Sequence, residues 1–139
     1  MRDSSDSRHG CKVSGFTLIE MVITMAILAI IATLAFPAYS DYVMRSRRSE
    51  AQGLMMELAQ YMEQQHLSNG RYTNSNNTAP NLPFTQSPKT GVARYTIKLT
   101  DITANSYTLT ASSSDDPCSP MSIDQSGNQT SKIAGCWLH

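Results

Sequence analysis

Between Phe16 and Ala38 the chain carries a single ionisable side chain, Glu20, in a run otherwise dominated by Ile, Leu, Met and Ala. At about 1.5 Å of rise per residue, such a run makes a helix of roughly 30 Å, the hydrocarbon thickness of a bilayer. It is able to cross a membrane. The rest of the chain is a different material, because its last half is full of Thr, Ser, Asn and Asp. With 139 residues, 40% of them apolar and 16% charged, there is room for one modest globular domain after the apolar run.

Residues 1–15 are polar and charged, with no apolar stretch of their own, and read as a targeting segment. A conventional secretory signal is cut after its apolar region, at small residues. Here the attractive site, Gly15, lies before it. Processing there leaves the helix on the mature protein with Phe16 as its new N-terminus. The net formal charge of the whole chain is zero; loss of Arg2, Arg8 and Lys12 together with Asp3 and Asp6 leaves about −1. That charge argues against nonspecific nucleic-acid binding. Basic residues on the two sides of the span, Arg2, Arg8 and Lys12 against Arg45, Arg47 and Arg48, leave its orientation ambiguous. Cysteines break the tie. Cys11 lies in the leader, so Cys118 and Cys136 remain as an even pair, which favours a disulfide and places the residues after the span in the periplasm or outside the cell.

From about Ser40 to Leu67 the pattern turns amphipathic, with Met44, Ala51, Leu54, Met55, Leu58 and Met62 on one helical face. One long helix is implied, with Asn69-Gly70 as its stop. Pro37 removes a helical hydrogen bond and crowds the carbonyl of Thr33, which predicts a kink or loosening near residues 33–37. Residues 73–91, with Pro80, Pro83 and Pro88, read as a loop. After Gly91 the period becomes two: Tyr95, Ile97 and Leu99, then Tyr107, Leu109 and Ala111, then Met121 and Ile123. The expected class is α+β, a long N-terminal helix packed on an antiparallel sheet of three to four strands. The expected organisation is a leader (1–15), a hydrophobic membrane and assembly helix (16–38) and a head (39–139) that includes the amphipathic half of the helix.

The segment Gly15-Phe16-Thr17-Leu18-Ile19-Glu20, opening an apolar helix after a short basic leader, resembles the processing motif of type IV prepilins. Glu50-Ala51-Gln52, Leu58-Ala59-Gln60 and Asp124-Gln125-Ser126-Gly127 followed by Cys136-Trp137 are similar to PilE-like minor pilins. The resemblance implies cleavage between Gly15 and Phe16 by a prepilin peptidase, N-methylation of Phe16 by the same enzyme, and an assembly role for Glu20, whose carboxylate attracts the N-terminus of a neighbouring subunit. It also implies the type IV pilin fold, a proline near position 37 where the helix partly melts, and a Cys118–Cys136 disulfide closing the C-terminal segment. Implied partners are other pilin subunits, the pilus assembly platform and the inner membrane before assembly, with an extracellular pilus afterwards.

Catalytic readings find no support, and no cofactor is expected. His9, His66 and His139 have no second ligand at metal spacing, no Ser-His-Asp order emerges, and no Gly-rich phosphate loop is present. Asp115, Asp116 and Asp124 lack EF-hand spacing and read as solvated loop acids. Arg94 and Lys98 share a polar strand face with Lys89 or Lys132 nearby; without interleaved aromatics this reads as a solvated face before it reads as a DNA site. The resemblance therefore implies a structural subunit of a type IV pilus, a minor pilin in preference to the bulk subunit. The alternatives are a type II secretion pseudopilin and a DNA-binding minor pilin for DNA uptake.

Overall fold

The computed structural model describes residues 15–137. The leader readings at residues 1–14 and those for His139 lie outside the described residues.

Helix α1 runs from Leu18 to Asn69. Its start is set by Thr17, whose Oγ1 accepts the backbone N–H of Glu20 at 3.3 Å, a side-chain cap three residues ahead of a glutamate. Two further threonines within the apolar run satisfy their hydroxyls on their own backbone, Thr24 on the Met21 carbonyl at 2.9 Å and Thr33 on the Ile30 carbonyl at 2.7 Å. Threonine is thereby compatible with a lipid surrounding, where an unbonded hydroxyl costs free energy. The helix is unbroken through Pro37. It stops at Gly70, whose φ of 66° is left-handed and whose N–H returns to the His66 carbonyl at 2.8 Å.

Two compact units divide at Tyr39 and Ser40. In the first, the helix is apolar enough, with a mean hydropathy of 2.5 over its best window, and long enough to cross a membrane, and none of that window is buried in protein. Glu20 sits in the first turn.

The second unit packs the remaining part of α1 on a five-stranded antiparallel sheet: β1 Gln86–Ser87, β2 Tyr95–Thr100, β3 Thr108–Ser112, β4 Met121–Asp124 and β5 Gln129–Ser131, in sequential order. The period-two alternation places its apolar residues in cross-strand rows. Ile97 opposes Ala111 and Ala111 opposes Met121; Leu99 opposes Leu109 and Leu109 opposes Ile123. These rows form one core with Ala51, Met55, Leu58 and Met62 of α1. The opposite face is hydroxyl-rich, with Lys98, Thr110, Ser122 and Thr130 in register. Ser122 and Thr130 share a 2.6 Å hydrogen bond there.

Two short strands depart from the sequence reading. Residues 73–91 are not wholly loop, because Gln86 and Ser87 pair with Thr96 and Tyr95. The segment beyond Ser126-Gly127-Asn128 pairs back on β4 as β5, so the sheet has five strands where three to four were expected. In the β4–β5 turn Asp124 binds the N–H groups of Ser126 and Asn128 and the Asn128 side chain at 2.8–2.9 Å, and Gly127 takes a φ of 77°. The Trp137 indole N–H donates to the Thr130 carbonyl of β5 at 2.7 Å, and Trp137 itself joins the core. Behind the helix end, Tyr72 stacks on His66 at 4.4 Å, meets Tyr107 edge-on at 4.8 Å and donates its hydroxyl to Glu63 at 2.9 Å.

Candidate functional site

In the first unit the expected processing and assembly residues sit around one helix start. Gly15 and the exposed Phe16 precede the capping Thr17, and Glu20 follows in the first turn. The unpaired N–H groups of a first turn and the helix dipole favour an anion, so the sequence puts the one carboxylate of its apolar run where the backbone offsets part of its cost. The sequence reading singled out Glu20 but not Thr17; the Thr-x-x-Glu spacing was the available signal.

In the second unit the two cysteines do join, Cys118 to Cys136, closing the C-terminal segment. Sequence reasoning missed what ties this segment to α1. Arg48 grips Asp116 with two donors, Nε to Oδ2 at 2.8 Å and Nη2 to Oδ1 at 2.6 Å. Tyr95 of β2 donates its hydroxyl to the same carboxylate, and the Cys118 N–H reaches Asp116 Oδ1 at 3.0 Å. One helical turn further on, the buried Gln52 donates Nε2 to the Cys136 carbonyl at 2.8 Å. Both ends of the disulfide loop are thus fixed to one helix face.

Asp116 is not the solvated loop acid expected; it is buried, with 5% of its surface exposed. Burial by itself pushes its pKa up, but the hydrogen bonds from Arg48, Tyr95 and the Cys118 N–H outweigh that and hold it below the ordinary aspartate value. Burial, then the bond to Asp116, pushes the Tyr95 phenol up. Asp124 is held low by Asn128 and the turn N–H groups. Among the described residues no three His, Cys, Asp or Glu side chains converge as a metal site.

The basic residues on and near the polar strand face, expected to be solvated, have different surroundings. Lys89 is drawn to Glu57 at 2.7 Å and lies 4.4 Å from the centre of the Phe84 ring. Lys98 stands in the hydroxyl row of the sheet, while Arg94 lines a small cleft with Arg47, Asp115 and Asp116.

Comparison with known proteins bears on both units. A family model described as "Prokaryotic N-terminal methylation motif" matches residues 11–36, and one described as "Type IV minor pilin ComP, DNA uptake sequence receptor" matches residues 37–131. Fimbrial protein EcpC of Eikenella corrodens is 62% identical over 37 residues, which cover 27% of this chain and 24% of that protein. Type IV major fimbrial protein FimA of Dichelobacter nodosus is 45% identical over 53 residues, covering 35% and 33%. Type IV major pilin protein PilE1 of Neisseria gonorrhoeae is 40% identical over 65 residues, covering 47% and 39%. The chain therefore spans well under half the length of these curated relatives. A type IV pilin from Shewanella oneidensis superposes with a TM-score of 0.49 at 25% identity, covering 69% of this chain and 99% of that one. With a minor-pilin family model matched through most of the amphipathic helix and the sheet, and a methylation motif matched ahead of it, the chain belongs to the type IV minor pilins of the ComP family.

Proposed function

We propose that this chain is a minor pilin that primes or modifies a type IV pilus. A prepilin peptidase cleaves it between Gly15 and Phe16 and methylates Phe16. It waits in the inner membrane, its second unit in the periplasm, until the assembly platform inserts it among other pilins, with the Glu20 carboxylate attracting the cationic N-terminus of a neighbour. The observation that carries this reading is the capped helix start, where Thr17 places Glu20 in the first turn of an apolar helix directly after Gly15-Phe16. The disulfide and the minor-pilin family match favour this subunit over a secretion pseudopilin. The test is the mass of the membrane-bound chain alongside its amount in sheared pili. A chain that keeps its leader, or that is processed but never enters filaments, overturns the proposal.

A second reading rests on one observation, the match of residues 37–131 to a family described as a DNA uptake sequence receptor. Here the chain takes up that role and holds duplex DNA. A chain without net positive charge depends on local cations, among them Arg47 and Arg94 beside one cleft and Lys98 on the hydroxyl-rich sheet face. Binding of a short duplex, measured against salt and against a scrambled duplex, decides it. Submicromolar affinity that falls with salt and is weakened by Arg94→Ala with Lys98→Ala supports the receptor; no sequence preference and no effect of the double substitution reject it.

A further inference from the structure

Beside the C-terminal segment, Arg45 and Arg48 of α1 line an open cleft of about 270 Å³ with Gly135 and Cys136. No carboxylate lines it. Arg48 spends Nε and Nη2 on Asp116, itself buried. Arg45 is exposed and, among the described residues, has no hydrogen-bonded or ion-pair partner. The cleft therefore holds an uncompensated cation, unlike the cleft in which Arg47 and Arg94 stand with Asp115 and Asp116. A guanidinium in that situation favours an anion, and its fork of donors suits a phosphate.

Which phosphate comes within reach follows from the chain. Arg45 lies seven residues beyond Ala38, the end of the apolar run, about 10 Å of helical rise. Side chains of a helix lean toward its N-terminus, here toward that run, and the long arginine stem lets the charge reach back further. The headgroup layer of a bilayer extends roughly 5–8 Å beyond the hydrocarbon on each side. Tyr39 and Tyr42, 69% and 72% exposed, occupy the interval, and tyrosine collects at that boundary. We propose that the cleft seats the phosphate of an anionic phospholipid while the chain waits in the inner membrane, with Arg45 as the charge that holds it. This deepens the membrane stage of the function proposed above and rests on it. A headgroup without a cation is preferred, because no acid lines the cleft to receive a choline or an ammonium. Asp41, exposed and one helical turn nearer the span, is the charge that opposes the lipid.

The test uses the full-length chain in a neutral detergent, loaded with phosphatidylglycerol or phosphatidylcholine and weighed by native mass spectrometry. Phosphatidylglycerol should be retained in preference. Arg45→Gln should retain about fivefold less of it, and Arg45→Lys, which keeps the charge, nearly as much as the wild type. Asp41→Asn should raise retention by a similar factor, a gain that misfolding does not produce. Equal retention of the two lipids, or an Arg45→Gln or Asp41→Asn chain that matches the wild type, overturns the inference. Release of the lipid by excess inorganic phosphate assigns the cleft to a free anion, and a short DNA duplex bound through Arg45 in its place assigns it to nucleic acid; either result also overturns the lipid seat. Wild-type chain missing from the inner membrane overturns the membrane stage of the proposed function instead, and the measurement in detergent then decides the seat by itself.

Discussion

Arg48 and Asp116 meet across 68 residues of chain, two parallel nitrogen–oxygen contacts joining the helix to the entrance of the disulfide loop. The pair is desolvated unequally, with 15% of the arginine side chain and 2% of the aspartate exposed. It behaves as a buried ion pair, in which removal of one partner strands the other. Asp116 also satisfies the Tyr95 hydroxyl and the Cys118 N–H, so it is the hub, and Arg48 is one spoke.

Asp116→Ala is therefore expected to destabilise the protein by about 3 kcal/mol or more, measured by denaturant unfolding of the oxidised chain. Arg48→Met, which keeps the stem and removes the charge, should cost less, because Asp116 retains two donors. Equal losses would show that the hub assignment is wrong.

The same carboxylate sets an acid limit. Its folded pKa lies below its unfolded value, so its contribution is complete above the unfolded pKa of about 3.9 and is lost as pH falls through the folded one. Stability should fall on acidification below about pH 4. In Asp116→Asn that part of the acid slope should vanish.

At the alkaline end the signs reverse. Burial first, then hydrogen bonding to Glu63, pushes Tyr72 up to about 12. Tyr95 and Tyr107 are raised for the same leading reason, with Asp116 and Glu63 next. Their stabilisation is fully present below the unfolded tyrosine pKa of about 10 and is lost as pH rises through the folded values. In a variant with Tyr39, Tyr42 and Tyr61 replaced by Phe, tyrosinate absorbance should appear together with unfolding, and titration of the remaining three in a folded protein near pH 10 would contradict this arrangement.

Cys118→Ser opens a loop of sequence separation 18 and should cost about 3 kcal/mol on a chain-entropy argument. Because Gln52 and the Asp116 hub still hold the two ends of the segment, the variant should remain folded in mild conditions while entering pili less well. Leader cleavage should be unchanged, as read from its mass.

On the function proposed above, processing and assembly fall to different residues at the helix start. A bulky replacement of Gly15 should leave an uncleaved, membrane-bound precursor. Glu20→Ala should be cleaved yet absent from pili, since an apolar span without its carboxylate is at least as stable in lipid. Glu20→Ala chains assembling at the wild-type level would remove the role given to that carboxylate.

The helix and the three central strands were legible because periodicity reports burial directly: Met55, Leu58 and Met62 recur at helical spacing, and Ile97 with Leu99 alternates at strand spacing. β1 and β5 were not, because strands of two and three residues are shorter than any period and depend on a neighbour already in place. The hub was invisible for a different reason. Nothing local distinguishes Asp116 from Asp115, and only the closure of the loop by Cys118 carries one of them under Arg48. Gln52 gave no local sign of its burial, because its acceptor, the Cys136 carbonyl, lies 84 residues away.

Trp137, part of the core and donating its indole N–H to the Thr130 carbonyl, ties the C-terminal segment to the last strand of the sheet. With β5 only three residues long and β1, at the far side, only two, neither border of the sheet offers a ladder on which another chain could nucleate. In the filament proposed above, a cross-β route to association with neighbouring subunits is thus blunted. Assembly on that reading rests on helices and side-chain surfaces, which can come apart again without unfolding anything.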